Sequence, residues 1–166
     1  MSITAERLRE LVHYDPETGL FTQVAVRKGW KAGRIIGRRM SRCGYIRIGI
    51  DMNRYLAHRL AWLYMTGEWP PDQIDHVNGD RADNRWSNLR EATSAQNGQN
   101  SRPRNGKFNL KGVAKSLDHW RAKPFSARIK AHGKVHYLGR FATPEEAHAA
   151  YVAGAYKYHG QFARTK

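Results

Sequence analysis

Cysteine is almost absent from this chain: Cys43 stands alone among 166 residues. An internal disulfide is thereby excluded, as is any cysteine-rich zinc site holding the fold together. No apolar run approaches the roughly 20 residues that span a bilayer. The opening residues, Met1 to Arg7, lack the apolar centre of a signal peptide, so the expected location is the cytoplasm, with no membrane partner. Acidic residues are scarce as well. Lys and Arg number 29 against 14 Asp and Glu, a formal charge of +15. A large polyanion is the partner such a balance favours, because each cation set on a phosphate releases a counterion. Nucleic acid fits that expectation best.

The shortage of acid is complete between Thr18 and Ile50, where Arg27, Lys28, Lys31, Arg34, Arg38, Arg39, Arg42 and Arg47 all occur. Gly29, Gly33, Gly37 and Gly44 interrupt any helix there. The stretch reads as extended ribbon and loop, with Arg34, Arg38, Arg39, Arg42 and Arg47 as candidates for DNA contact along the backbone or minor groove. A short helix is predicted ahead of it over residues 4–12, capped by Thr4, and a turn over Asp15 to Gly19 leads into a strand at Leu20. Asp51, Met52 and Asn53 suit a hairpin turn. A second helix is predicted over Ala57 to Thr66, ended by Gly67. His58 lies on it, and a lone helical histidine is read as a packing residue.

The densest polar stretch runs from Ile74 to Arg90 and on to Asn97. Asp75 and His76 are adjacent, Asn88 follows His76 by twelve residues, and Asn97 follows by nine more. Asn78-Gly79-Asp80 and Ala82-Asp83-Asn84 are turn formers, so the chain can double back and lay a strand over Trp86 to Leu89 beside Ile74 to Val77. Thr93, with Gln96 three residues later, then caps a helix carrying Asn97. Strand, loop, strand and helix would bring Asp75, His76, Asn88 and Asn97 together. Hydrolysis of a phosphodiester needs a base for the attacking water and a cation for the developing charge. His76 suits the base, titrating near pH 6.5 when unperturbed. Asp75 and the Asn97 carboxamide offer oxygen ligands for a hard ion, Mg2+ or Mn2+, one per site. Asn88 is expected to hold the other ring nitrogen of His76, with Asn84 as the alternative for that role.

The sequence His58-Arg59-Leu60, Asp75-His76-Val77-Asn78-Gly79-Asp80, Asp83-Asn84-Arg85, Asn88-Leu89-Arg90 and Gln96-Asn97 resembles the HNH nucleases of the homing and phage type. The resemblance implies a ββα-metal fold that cuts DNA with one divalent cation. It implies Asp75 and Asn97 as metal ligands, His76 as general base and Asn88 as the residue that orients it. Many relatives carry histidine at the last position, and asparagine there disfavours zinc, so no structural zinc is expected.

Gly98 to Lys107 is polar and broken by Gly and Pro, and reads as a linker. Beyond it, strands are predicted at Leu110 to Lys115, Phe125 to Ala131 and Lys134 to Phe141, with His132-Gly133 as a turn. A helix follows from Thr143-Pro144-Glu145-Glu146, a cap, an N1 proline and a capping-box glutamate. Lys111-Gly112-Val113, Ala127-Arg128-Ile129, Tyr137-Leu138-Gly139-Arg140-Phe141 and Thr143-Pro144-Glu145-Glu146-Ala147 together resemble the ethylene-response-factor, or Apetala-type, DNA-binding domain. That resemblance implies a sheet laid in the major groove, with Lys111, Arg128, Lys130, Tyr137 and Arg140 as candidate contacts. Ala114, Ser116 and Val135 stand where those proteins carry arginines, so their target sequence does not transfer. Either Trp120 or Phe125 takes the place of the tryptophan those proteins carry on the strand.

The fold class expected is α+β. Residues 1–55 form a basic N-terminal helix and β-ribbon region, 56–100 a ββα-metal (HNH) nuclease core, 101–108 a linker, and 109–166 a separate three-stranded antiparallel sheet with one packed helix. The function expected is divalent-metal-dependent cleavage of double-stranded DNA by a monomer, which would nick, or a homodimer, which would cut both strands. The rival reading is a non-cleaving, sequence-specific regulator on a degenerate nuclease scaffold.

Overall fold

A computed structural model describes residues 2–24, 31–37, 41–100, 110–117, 122–163 and 165. Arg38, Arg39, Trp120 and the linker 101–108 lie outside the described residues. The chain divides into two compact units, Met1–Ser94 and Ala95–Lys166. It is a mixed α+β protein built of small antiparallel sheets and few helices.

The first unit opens with helix α1 (Ala5–Leu11), whose first turn is capped as expected: the Thr4 hydroxyl accepts from the Arg7 N–H at 3.2 Å. The helix stops one residue short of the predicted end. Val12 is already extended and begins strand β1 (Val12–Asp15), which pairs with β2 (Leu20–Gln23) so that Tyr14 stands opposite Phe21. Valine is β-branched and prefers the strand, and the pairing buries it. The turn between them is closed by Asp15, whose carboxylate accepts from the Glu17 N–H at 2.9 Å and the Thr18 hydroxyl at 2.7 Å. A short β3 (Ile35–Ile36) extends this sheet beyond β2.

Strands β4 (Arg47–Ile50) and β5 (Asn53–Leu56) form a hairpin. Asp51 and Met52 at its tip have φ of 46° and 64°, the pair of left-handed residues that a two-residue turn of matching twist requires. Helix α2 (Ala57–Thr66) follows at the predicted bounds, and Gly67 ends it at φ +85° with its N–H on the Leu63 carbonyl. Leu8, Leu60, Leu63, Ile48, Phe21 and Tyr14 are almost wholly buried and form the centre of this unit. Each such side chain contributes about 1.5–3 kcal/mol by leaving water.

After Trp69-Pro70-Pro71 comes β6 (Gln73–His76), paired antiparallel with β7 (Leu89–Ala92), Asp75 opposite Arg90 and His76 opposite Leu89. The strand predicted at Trp86 to Leu89 is displaced. Trp86–Asn88 is a single 3-10 turn, and only Leu89 onward is extended. The physical reason is local: side-chain bonds made by Asp83 and Asn88 compete with the ladder and tighten the chain before β7 can start.

Helix α3 (Ser94–Gln99) starts at the last residue of the first unit and carries the chain into the second, so Gly98 and Gln99, the first residues of the predicted linker, are helical. Strands β8 (Val113–Lys115), β9 (Phe125–Ala131) and β10 (Lys134–Phe141) form one antiparallel sheet in the order β10-β9-β8. β8 starts later than predicted because Gly112, at φ +80°, is not extended. Helix α4 (Pro144–His159) has Thr143 as cap and Pro144 in its first turn. Glu146 reaches back to the Ala142 N–H at 3.1 Å, one residue before the position a capping box specifies. Ala147, Tyr151, Gly154 and Ala155 are buried along this helix, and Ala147, Tyr151 and Ala155 share a core with Phe125, Ala127 and Ile129.

Candidate active site

Strand β6 carries three consecutive buried residues, Ile74, Asp75 and His76. Adjacent side chains on a strand leave from opposite faces, so a carboxylate and an imidazole are enclosed on the two sides of one short ribbon. Each has its own partner.

Asp75 is answered from the facing strand. Arg90, its register partner, places Nε at 2.9 Å and Nη2 at 2.7 Å from the same oxygen, Oδ2. The Asp75 side chain is only 4% exposed, and this guanidinium takes the place of its lost water.

His76 is answered from the loop. Its Nε2 lies 3.3 Å from Asn84 Oδ1. The carboxamide orientation follows from its other end, where Asn84 Nδ2 donates to the Ala82 carbonyl at 3.0 Å. Oδ1 therefore accepts from Nε2–H, which makes Nδ1 the basic nitrogen of the ring. Burial pushes the His76 pKa below its ordinary 6.5, against the opposing pull of Asn84 and of the carboxylates of Asp75, Asp80 and Asp83. The ring is thus neutral at pH 7, the state a base needs.

This corrects the sequence reading: the expected contact of Asn88 with His76 falls to Asn84, the alternative. Asn88 is buried, but its amide is spent on the loop, Oδ1 accepting from the Asn78 N–H at 2.9 Å and Nδ2 donating to the Asp83 carbonyl at 2.8 Å. Two ends of the loop are joined through one side chain. Within it, Asp83 binds Arg85 at 2.6 Å and accepts from Asn78 Nδ2 at 2.8 Å, and the Arg85 guanidinium holds its carboxyl down to about 2. Asn78, Asp80 and Asp83 shape the loop, as their residue types predict.

His58 packs, as expected, but against the site itself. Its ring meets His76 edge-on at 5.0 Å and Tyr45 at 5.1 Å, and its Nδ1 is buried without a hydrogen-bond partner among the described residues. Desolvation, with the charges of His76 and Arg59, pushes its pKa down to about 3. Since the unfolded chain would protonate near 6.5, the unfolded state binds more protons between those values. The stability His58 contributes is present above pH 6.5 and is lost as pH falls towards 3, at up to about 1.4 kcal/mol per pH unit. Unfolding measured between pH 7 and 4 is expected to show this slope, and His58→Leu is expected to flatten it. Equal slopes in both proteins would remove His58 as its source.

Of the remaining expected residues, Asn97 lies on α3 in the second unit, half-buried. The first unit by itself holds Asp75, His76 and Asn88. Among the described residues, no group of three or more His, Cys, Asp and Glu is arranged to hold a metal ion. Arg34, Arg42 and Arg47 are exposed in the first unit. Arg81, which the sequence reading passed over, donates to the Cys43 carbonyl at 3.0 Å and covers the Tyr45 ring at 4.8 Å, tying the basic loop to the site loop. In the second unit Arg128 and Lys130 are exposed on β9, while Ala127 and Ile129 are buried, the alternation of a strand with one covered face. Tyr137 stands exposed opposite Arg128, and Arg140 is exposed further along β10. Lys111 differs: it is half-buried, its ammonium 2.5 Å from the Gln99 carbonyl. Phe125, one of the two candidates for the strand aromatic, is buried in the sheet core.

Strand β6 thus carries a buried Asp-His pair with a carboxamide on the imidazole, and it lies within residues 55–99, which match the family model described as HNH endonuclease. An uncharacterized HNH endonuclease of Acanthamoeba polyphaga mimivirus is 30% identical over 118 residues, covering 70% of this chain. The chain spans 59% of the length of that viral relative.

Proposed function

We propose that the protein is a divalent-metal-dependent DNA endonuclease. The observation that carries this reading is the pairing on β6 of a buried His76, whose Nε2–H is held by Asn84, with a buried Asp75 carboxylate held by Arg90.

The donor chemistry fits a hard cation. A carboxylate with carboxamide oxygens, and neither cysteine nor a histidine cluster, suits Mg2+ or Mn2+ and not zinc. Asp75 would hold the ion, and Asn97 is the second ligand on resemblance alone. When bound, the cation neutralises charge developing on the scissile phosphate and the leaving oxygen. His76 Nδ1 takes the proton of the attacking water, and Asn84 keeps the opposite nitrogen protonated so that the lone pair stays on Nδ1. Arg90 fixes the Asp75 carboxylate and confines it to one rotamer. The products implied by the resemblance are 5′-phosphate and 3′-hydroxyl ends.

Arg34, Arg42 and Arg47 would contact the DNA backbone. The second unit would act as the ethylene-response-factor-like module that selects the site, presenting Arg128, Lys130, Tyr137 and Arg140 from its exposed sheet face. Acting singly, one such site would nick a single strand, and a homodimer would cut both.

Supercoiled DNA that includes sequence from the source genome is expected to be relaxed or linearised when Mg2+ or Mn2+ is present. Chelation should abolish the cutting. Cutting that survives chelation removes the metal from the mechanism, and binding without cutting in either metal establishes the regulatory reading instead.

A further inference from the structure

The family match begins at residue 55, yet the imidazole of the site is held from a point far earlier in the chain. Tyr14, on β1, is 1% exposed, and its hydroxyl donates to the Asn84 carbonyl at 2.7 Å. Two residues further on, the Pro16 carbonyl accepts from the Trp86 N–H at 2.9 Å. Gly19 closes the same turn at φ +71°, and a Cβ added there would lie 2.5 Å from both Arg85 N and Asn84 C. Six residues of one turn therefore grip the backbone of residues 84–86 at three places. The turn is itself stiff, since Asp15 binds Glu17, Thr18 and, through its carbonyl, the Gly19 N–H at 2.8 Å.

Asn84 is the residue so gripped, and its Oδ1 is the partner of His76 Nε2. We propose that the β1-β2 hairpin is part of the catalytic apparatus, with Tyr14 as a positioning residue that sets Asn84 and, through it, the orientation and tautomer of His76. This rests on the reading of His76 as the base. The hydroxyl and the ring of Tyr14 have separable duties. The ring packs on Phe21 at 4.7 Å and Tyr64 at 5.8 Å, contacts that phenylalanine would keep. The hydroxyl makes the hydrogen bond to the site loop.

Tyr14→Phe in the full chain tests the assignment. Its kcat for DNA cleavage is expected to fall about tenfold with KM unchanged, a fraction of the factor a general base supplies. The ring-nitrogen NMR shifts of His76 are expected to move in the same variant without metal or DNA. Ile50→Val, which thins the same core away from the loop, is expected to keep full kcat at equal or lower melting temperature. Unchanged His76 shifts, or a kcat loss shared with Ile50→Val, would overturn the proposal. The NMR shifts need no cleavage, so if the parent protein fails to cut they still decide the positioning role, while the nuclease reading fails separately.

Discussion

His76→Ala is expected to reduce the rate of metal-dependent DNA cleavage by about 10²–10⁴-fold, the range that a positioned general base contributes. The loss should fall on kcat. At pH 7 the ring is neutral, because burial holds its pKa below 6.5, so it adds no charge for phosphate to feel. DNA affinity in the presence of chelator should stay within about a factor of two, since phosphate contacts are made by cations and N–H donors. Removal of the ring opens a space beside His58 and Tyr45, whose centroids lie 5.0 and 6.0 Å from it. Added imidazole is therefore expected to restore part of the rate. Cleavage of unchanged rate in the variant, measured with Mg2+ and with Mn2+, would show that the proton is taken by another group.

The same residue illustrates what the sequence could say. His76 and Asp75 were legible as a pair because acids are rare in so basic a chain, and their spacing to Asn88 and Asn97 matched a known pattern. The partner of the imidazole was open between Asn84 and Asn88, both of which follow turn formers. Spacing alone does not separate them. What separates them is the 3-10 turn at Trp86–Asn88, which directs the Asn88 amide to the Asn78 N–H and the Asp83 carbonyl. That turn arises from side-chain-to-backbone bonds, and these leave no hydrophobic period to read.

Elements with a local cause were found close to their observed bounds. Gly67 ends α2, Asp51-Met52 turns a hairpin, and Thr143-Pro144 opens α4, each by backbone chemistry confined to a few residues. Long-range partners were not found. Tyr14 meets Asn84 across 70 positions and Arg9 meets the Tyr64 carbonyl across 55. Nothing near Tyr14 in the sequence reports such a meeting, and β1 itself is not predicted, since Val12 falls at the end of the expected helix. A single helical histidine usually packs, and His58 does so. Its neighbour in space, His76, is what gives that packing a place in the site.

Gly112→Ala is expected to cost the second unit more stability than any other single methyl addition there. At φ +80° the backbone of Gly112 disfavours an L side chain, by about 1–2 kcal/mol. The added Cβ would also lie 1.9 Å from Cδ2 and 2.4 Å from Cγ of Tyr151. Neither side can yield easily. Tyr151 is 3% exposed in the core with Phe125, Ala127, Ile129, Ala147 and Ala155, and the Gly112 carbonyl is held by the Arg128 N–H at 3.0 Å. Overpacking of this kind adds about 1–3 kcal/mol, and the two effects together reach about 2–5 kcal/mol. A unit of roughly 70 residues has about 4–10 kcal/mol in all, at about 0.05–0.15 kcal/mol per residue. Hydrogen exchange in the full chain is expected to quicken across β9 and β10 while β6 and β7 keep their protection. Gly133→Ala supplies the control, since Gly133 shares the left-handed backbone at φ +75° but has nothing within 4 Å of the added carbon. Its loss should stop at the backbone component, and equal losses at the two glycines would show that the Tyr151 ring gives way without cost.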